Sequence, residues 1–178
     1  IVTEKPKLLT SGKDVAGELT FIPAVKNELR IGVIGAGEFA KATLLPIVSS
    51  IKNAQLNAIV DANIANSLNV SKKYGAAQAL SSDSELFKED IIDAVVIASP
   101  HSEHCDQALN ALSHGKAAFV AKPMVTDFEQ LARMKTFLTE HPHAPLCVGY
   151  NRSFAPFMQQ IKAKLEGRAN AHNGAIPH

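Results

Sequence analysis

The chain has 178 residues, enough for one domain with a real core, and its 46% hydrophobic and 20% charged content is that of a globular protein, not a disordered one. Its 18 cationic and 17 anionic residues are interspersed and sum to +1, so no basic face for nucleic acid is visible. No apolar run approaches the roughly 20 residues that a membrane helix requires, and no charged-then-apolar signal pattern stands at the start.

The two cysteines, Cys105 and Cys147, fall in segments that read as helix and strand. Two are too few for a disulfide scaffold, so the expectation is reduced thiols in a cytoplasmic protein. The first residue is Ile1, not methionine, and the expectation is a chain excised from something longer.

Residues 1–28 mix Lys, Gly, Pro and Thr without a period and read as a linker or the tail of a preceding unit. Order begins at Leu29, where "LRIGVIG" is a short β-branched apolar run of the kind buried on both faces of a sheet. A helical pattern through Phe39, Ala40, Leu44, Ile47, Val48 and Ile51 follows, with Pro46 expected to kink or split it. A second strand, "LNAIVD", closes on Asp61, and a helix through Ile64, Leu68 and Tyr74 stops at Gly75.

"DAVVIASP" reads as the third strand, and the helix after it, around Ala108 to Leu112, stops at Gly115. "AAFV" is the next strand. Thr126 and Glu129 then have capping-box spacing for a helix whose inward face is Phe128, Leu131, Met134 and Leu138. "PLCVGY" gives a last strand, and Phe157, Ile161 and Leu165 repeat at helical spacing. Short apolar strands alternating with amphipathic helices imply an α/β fold: one doubly wound parallel sheet over residues 29–166, covered on both sides.

The first chemical motif is Gly35-x-Gly37-x-x-Ala40 at the first strand–helix junction. Gly35 permits a tight turn, Gly37 a close backbone approach to a pyrophosphate, and Ala40 close helix packing, with the phosphates over Gly35, Ala36, Gly37, Glu38 and Phe39. The motif follows a buried strand, opens a helix and is answered by Asp61, the context of a dinucleotide fingerprint. Asp61 is suited to accept from a ribose and to repel a 2′-phosphate, which favours NAD over NADP. A methyltransferase uses a similar loop for S-adenosylmethionine, and the loop alone does not separate the two.

"SPHSEHCDQAL" places Ser99, Pro100, His101 and His104 after a strand end, where the crevice of an open α/β sheet lies. No carboxylate or cysteine set completes a metal site around the two histidines, and either imidazole alternatively caps or packs a helix. Lys122, in "FVAKPM", also follows a strand end. A lysine partly desolvated beside a nicotinamide holds a substrate hydroxyl or relays a proton; the other reading is a surface lysine before a turn.

Together "GVIGAGEFA", "SPHSEHCDQAL", "GKAAFVAKPM" and "VGYNRSFAPF" resemble the glucose-fructose oxidoreductase, inositol dehydrogenase and rhizopine-catabolism (Gfo/Idh/MocA) family from Leu29 to about Leu165. The resemblance implies a Rossmann NAD(P)-binding domain of an oxidoreductase that moves a hydride between nicotinamide and a hydroxyl-bearing carbon of a sugar, cyclitol or nucleotide-sugar. It implies Lys122 and His104 as the catalytic candidates, Lys122 as the catalytic-site lysine and His104 beside the nicotinamide, and Tyr150, Asn151 and Arg152 in the segment passing under the cofactor.

The family's glutamate before that lysine is Ala121 here, which leaves a non-catalytic dinucleotide-binding or sensor module as the alternative. The opening "GELTFIPA" resembles the junction of bi-domain oxidoreductases with a preceding zinc alcohol-dehydrogenase-like half. Residues 167–178 read as a disordered tail or as the start of the family's substrate domain, which their ending "HNGAIPH" resembles and which in the family completes the active site and carries the assembly surface. On that reading residues 1–178 alone bind cofactor and turn over poorly.

Overall fold

The computed structural model describes residues 28–87 and 90–165. The linker expected over residues 1–28 therefore lies, apart from Glu28, outside the described residues, as does the segment 167–178. Strands β1 (Leu29–Ile34), β2 (Ala54–Val60), β3 (Gln78–Leu80), β4 (Ala94–Ile97), β5 (Ala117–Ala121) and β6 (Leu146–Gly149) form one sheet in the order β3-β2-β1-β4-β5-β6. Every pairing is parallel. Helices α1 (Leu45–Ser50), α2 (Ile64–Tyr74), α3 (Asp83–Leu86), α4 (His104–Ser113), α5 (Phe128–Glu140) and α6 (Pro156–Leu165) alternate with the strands.

The apolar runs are strands because successive residues have an apolar layer on both sides to enter. Val33 and Val96 go to one buried cluster with Leu44, Leu45, Ile59 and Val70. Their neighbours Ile34, Val95 and Ile97 go to the other with Leu86, Leu112, Val120 and Met134. Burying a side chain of this size from water is worth about 1.5–3 kcal/mol, so a strand that feeds both layers is held twice over. The strand order reverses between β1 and β4, and the loops after these two strands diverge there, which is where a doubly wound sheet has its crevice.

Pro46 splits the first helical segment as expected, through a π-helical turn over Ala40–Leu44 that leads into α1. The wider i→i−5 pattern would pair the N–H of residue 46 with the carbonyl of Lys41, and proline has no N–H to give. The Tyr74 hydroxyl supplies the missing donor, reaching the Lys41 carbonyl oxygen at 2.9 Å.

Four other features were missed by the sequence reading or depart from it. The sequence reading passed over β3, three half-buried residues too short to show a period, and α3, a single turn capped by Ser82. The inward face of α2 is Ser67, Val70 and Ser71, whereas Ile64 and Leu68 are exposed; the serine hydroxyls donate to the Ile59 and Gln78 carbonyls at 2.7 and 3.1 Å, which makes them fit for burial. The cap of α5 is Asp127, which accepts from the Gln130 N–H at 2.8 Å, while the Gln130 side chain accepts from the Thr126 N–H at 2.9 Å. Met134 is the buried residue of that helix, with Phe137 and Leu138 packed against the same core, and Phe128 stands in solvent.

The fourth concerns the covering of the sheet. Among the described residues one face of β4, β5 and β6 is open beside α1, as an apolar groove of about 620 Å³ that includes Ile47, Ile51, Phe119 and Leu146. That opening is why Ile47 and Ile51 of the apolar helical pattern are exposed. Helix α6 has no buried residue, and Phe157 and Leu165 are exposed on it. No helix among the described residues is long and apolar enough to cross a membrane.

Candidate functional site

The glycine loop joins β1 to the first helical turn at the carboxyl edge of the sheet. Gly35 has φ +89°, and a Cβ on it would lie 2.5 Å from the Ser99 nitrogen, so the loop after β1 lies against the end of β4 only because this residue has no side chain. Gly37 faces the opposite situation. A Cβ there meets nothing within 4 Å, which leaves open space above the start of the helix. The N–H groups of Gly37, Glu38 and Phe39 open that helix, where helical geometry provides no carbonyl partner and the dipole favours an anion. Ala40 is fully buried, as its place in the motif requires.

Asp61 stands one residue past β2. Its Oδ2 accepts from the Ala36 backbone N–H at 3.0 Å and from the Asn66 side-chain amide at 2.9 Å, and its Oδ1 accepts from the Asn63 N–H at 2.9 Å. Asn66 also donates to the Ala36 carbonyl at 3.0 Å. The carboxylate thus ties the glycine loop to the β2 end, and with two donors on Oδ2 and one on Oδ1, lone-pair capacity remains on Oδ1 for a hydroxyl. Asn63, which caps α2, and Asn66 were not singled out from the sequence; the Asp-x-Asn-x-x-Asn spacing is the signal that marks them.

The ends of β4 and β5 complete the edge. His104, at the start of α4 and 1% exposed, has Nε2 2.9 Å from the Ser99 carbonyl oxygen and Nδ1 2.7 Å from the Pro123 carbonyl oxygen. The Ser99 hydroxyl donates to Gln107 Oε1 at 2.5 Å, and Gln107 donates in turn to Glu103 at 3.0 Å. The His101 ring lies edge-on to His104 with centroids 5.5 Å apart. Lys122 precedes a cis proline and is exposed; of its two sequence readings this matches the surface lysine before a turn and not the partly desolvated one.

One cavity of about 620 Å³ gathers these parts, lined by Gly37, Glu38, Phe39, Ser99, His101, His104, Ala121, Lys122, Asn151 and Arg152 among others. Ten of the residues expected from the sequence, Tyr150 among them, are in that lining. Gly35, Ala36, Asp61 and Pro100 are not; the first three frame the glycine loop, and Pro100 leads into the turn over His101–Glu103. The cavity also takes in Phe119, Gly149 and Ser153, which were not singled out from the sequence. Gly149 is needed there because a Cβ on it would come within 2.8 Å of the Phe119 ring. Among the described residues no group of three or more His, Cys, Asp or Glu side chains is arranged to hold a metal ion.

Open space over Gly37, free helix-start N–H groups, an acceptor at the β2 end and a cavity at the switch point together fit a dinucleotide. Residues 29–150 match the oxidoreductase family with an NAD-binding Rossmann fold. The chain belongs to this family. Among its relatives, the glucose-6-phosphate 3-dehydrogenase of Bacillus subtilis is 31% identical over 136 residues, which are 76% of this chain and 37% of that protein. The inositol 2-dehydrogenase of Acidothermus cellulolyticus is 28% identical over 149 residues, 84% of this chain and 44% of that one. The crystal structure of scyllo-inositol dehydrogenase from Lactobacillus casei with bound NAD(H) and scyllo-inositol superposes with a TM-score of 0.71 at 25% identity, over 78% of this chain and 42% of that chain. The chain therefore spans about two fifths of the length of the relatives it matches.

Proposed function

We propose that the chain binds NAD and contributes that cofactor site to an oxidoreductase acting at a hydroxyl-bearing carbon of a sugar, cyclitol or nucleotide-sugar. The observation that carries the reading is the single cavity in which the glycine-loop helix start, the β4 end and the Lys122 turn meet. The N–H groups of Gly37, Glu38 and Phe39 hold the pyrophosphate. Asp61 holds the adenosine ribose, and its charge disfavours a 2′-phosphate, hence NAD over NADP. Ser99, His104 and Lys122 mark the nicotinamide end, with Asn151 and Arg152 closing the cavity beneath it.

When bound, the nicotinamide supplies the two-electron chemistry, and the protein supplies binding, orientation and electrostatics. Lys122 is part of the cavity lining, and in this reading it donates a hydrogen bond to a substrate oxygen at the rim. The known names among the relatives, inositol and sugar-phosphate dehydrogenases, support a polyhydroxylated substrate. The same reading has a small-molecule partner, no nucleic acid or membrane partner, a cytoplasmic location, and self-association through a second domain.

The second reading is a dinucleotide-binding or sensor module without turnover, favoured by Ala121, which lines the cavity with a methyl group where the resemblance expects a glutamate. Reduction of NAD by the intact protein with myo-inositol, scyllo-inositol and glucose 6-phosphate separates the two. Turnover that falls about a hundredfold or more in Lys122→Ala, with NAD affinity retained, supports the enzymatic reading. Cofactor binding with no turnover on any polyol supports the module, and turnover unchanged in Lys122→Ala rejects the lysine's role.

A further inference from the structure

We infer that His104 is a positioning residue that fixes the spacing between the β4 end and the Lys122 turn, and that it takes no part in proton transfer itself. The inference rests on the cofactor reading above. The ladder between β4 and β5 ends at the pair Ile97 and Val120. Beyond it the chains part into two loops, one through Ser99 and one through Lys122 and Pro123. His104 spans the gap past the last ladder pair. Its two nitrogens lie 2.9 Å from the Ser99 carbonyl and 2.7 Å from the Pro123 carbonyl, one on each loop.

Three features separate this from acid–base work. The ring is 1% exposed, and both nitrogens already face main-chain oxygens, so neither is turned toward a substrate in the cavity. Carbonyl oxygens accept and never donate, so the ring's role toward them is that of an N–H donor, on one side or the other according to the tautomer. Helix α4 grips the Ser99 side chain a second time through Gln107, whose own amide is anchored by Glu103. The first two turns of α4 therefore hold the β4 loop firmly, and the imidazole transmits that position to the residue next to Lys122.

The consequence is local to one half of the cofactor. The glycine loop and Asp61, which would hold the adenosine half, are tied to β2 and α2 and share no hydrogen bond with His104. Where Gly35 packs against the Ser99 nitrogen, the β4 end is held to β1 by the Ala98 N–H on the Ile34 carbonyl at 2.8 Å, a bond independent of the imidazole. The test compares NADH with ADP-ribose, which lacks the nicotinamide, by titration calorimetry on the intact protein. Wild type, His104→Phe, which keeps a ring without donors, and His104→Gln, which keeps a donor, are measured side by side.

The expected result is that His104→Phe weakens NADH binding about tenfold while ADP-ribose affinity moves by less than about twofold, and that His104→Gln recovers part of the loss. Parallel weakening of both ligands in either variant would make the histidine a general packing residue and overturn the inference. An unchanged NADH to ADP-ribose ratio would do the same. If His104→Phe does not fold, His104→Gln carries the comparison, with a smaller selective loss expected. A wild-type protein that binds neither ligand would instead reject the cofactor reading itself, a result distinguishable from all of these.

Discussion

The Asp61 carboxylate accepts the backbone N–H of Ala36 at 3.0 Å, across the mouth of the switch point from β2 to the glycine loop. The residue that would select the ribose therefore also shapes the phosphate loop. Asp61→Ala removes both functions, because the Ala36 N–H and the Asn66 amide lose a charged acceptor. Hydrogen bonds to charged groups are worth about 1.5–3 kcal/mol, so NAD affinity should fall by roughly one to two orders of magnitude, with a lower melting temperature. Asp61→Ser should lose NAD affinity while its discrimination against NADP narrows; retained discrimination in a calorimetric comparison of the two cofactors would remove Asp61 from the ribose site.

Gly35 and Gly75 both have positive φ, +89° and +72°, but only Gly35 has a neighbour where a Cβ would go. Gly75→Ala should cost about 1 kcal/mol for the left-handed backbone of the α2 cap. Gly35→Ala adds a 2.5 Å approach to the Ser99 nitrogen that backbone alone must relieve, and should cost more than about 2 kcal/mol. Urea unfolding of the two variants compares them directly, and equal losses would show that the β1 loop is not held against β4.

Burial holds the Cys105 thiol above its ordinary value of 9.0, with nearby Asp106 and Asp127 adding to the shift and Arg133 opposing it. The native state thus resists ionisation more than the unfolded chain does. Its contribution to stability is complete below the ordinary thiol range and is lost as pH rises through it toward the higher native value. Wild type should therefore lose more unfolding free energy than Cys105→Ala between about pH 8 and about pH 10. In native protein a thiol reagent should modify exposed Cys147 and leave buried Cys105 until unfolding.

Arg30 clamps the start of β4 to β1: its guanidinium meets the Asp93 carboxylate at 2.9 and 3.2 Å, and its backbone N–H meets it at 2.9 Å. Asp93 is 9% exposed, so Arg30→Met leaves a nearly buried charge with less compensation. The variant should lose about 2–3 kcal/mol in urea unfolding, discounted from a fully buried pair because the arginine is a quarter exposed, with cofactor affinity unchanged. A loss of cofactor affinity in a still-folded variant would mean that this end of the sheet is coupled to the site.

Five of the six strands were legible because apolar runs such as "IGVI" and "AVVI" have no reading other than burial on both faces. The αL caps at Gly75 and Gly115 were legible for the same reason of limited alternatives. What escaped was burial by polar residues. Ser67 and Ser71 face inward by bonding to strand carbonyls, and a count of apolar positions turns α2 toward Ile64 and Leu68 instead.

The site was legible as a set of strand ends but not in its wiring. Spacing places His104 and Lys122 at neighbouring loops, yet only the fold shows that the imidazole is occupied on both sides and that the lysine is exposed. Phe119 and Ser153 join the cavity, where Gly149 lets the chain turn over the Phe119 ring, a close contact that no local pattern announces.

Titration of the protein with NAD, NADP and S-adenosylmethionine tests the central claim most directly. The account predicts that NAD binds, that NADP binds more weakly, and that S-adenosylmethionine does not bind; failure of both nicotinamide cofactors to bind, or binding of S-adenosylmethionine alone, would contradict it.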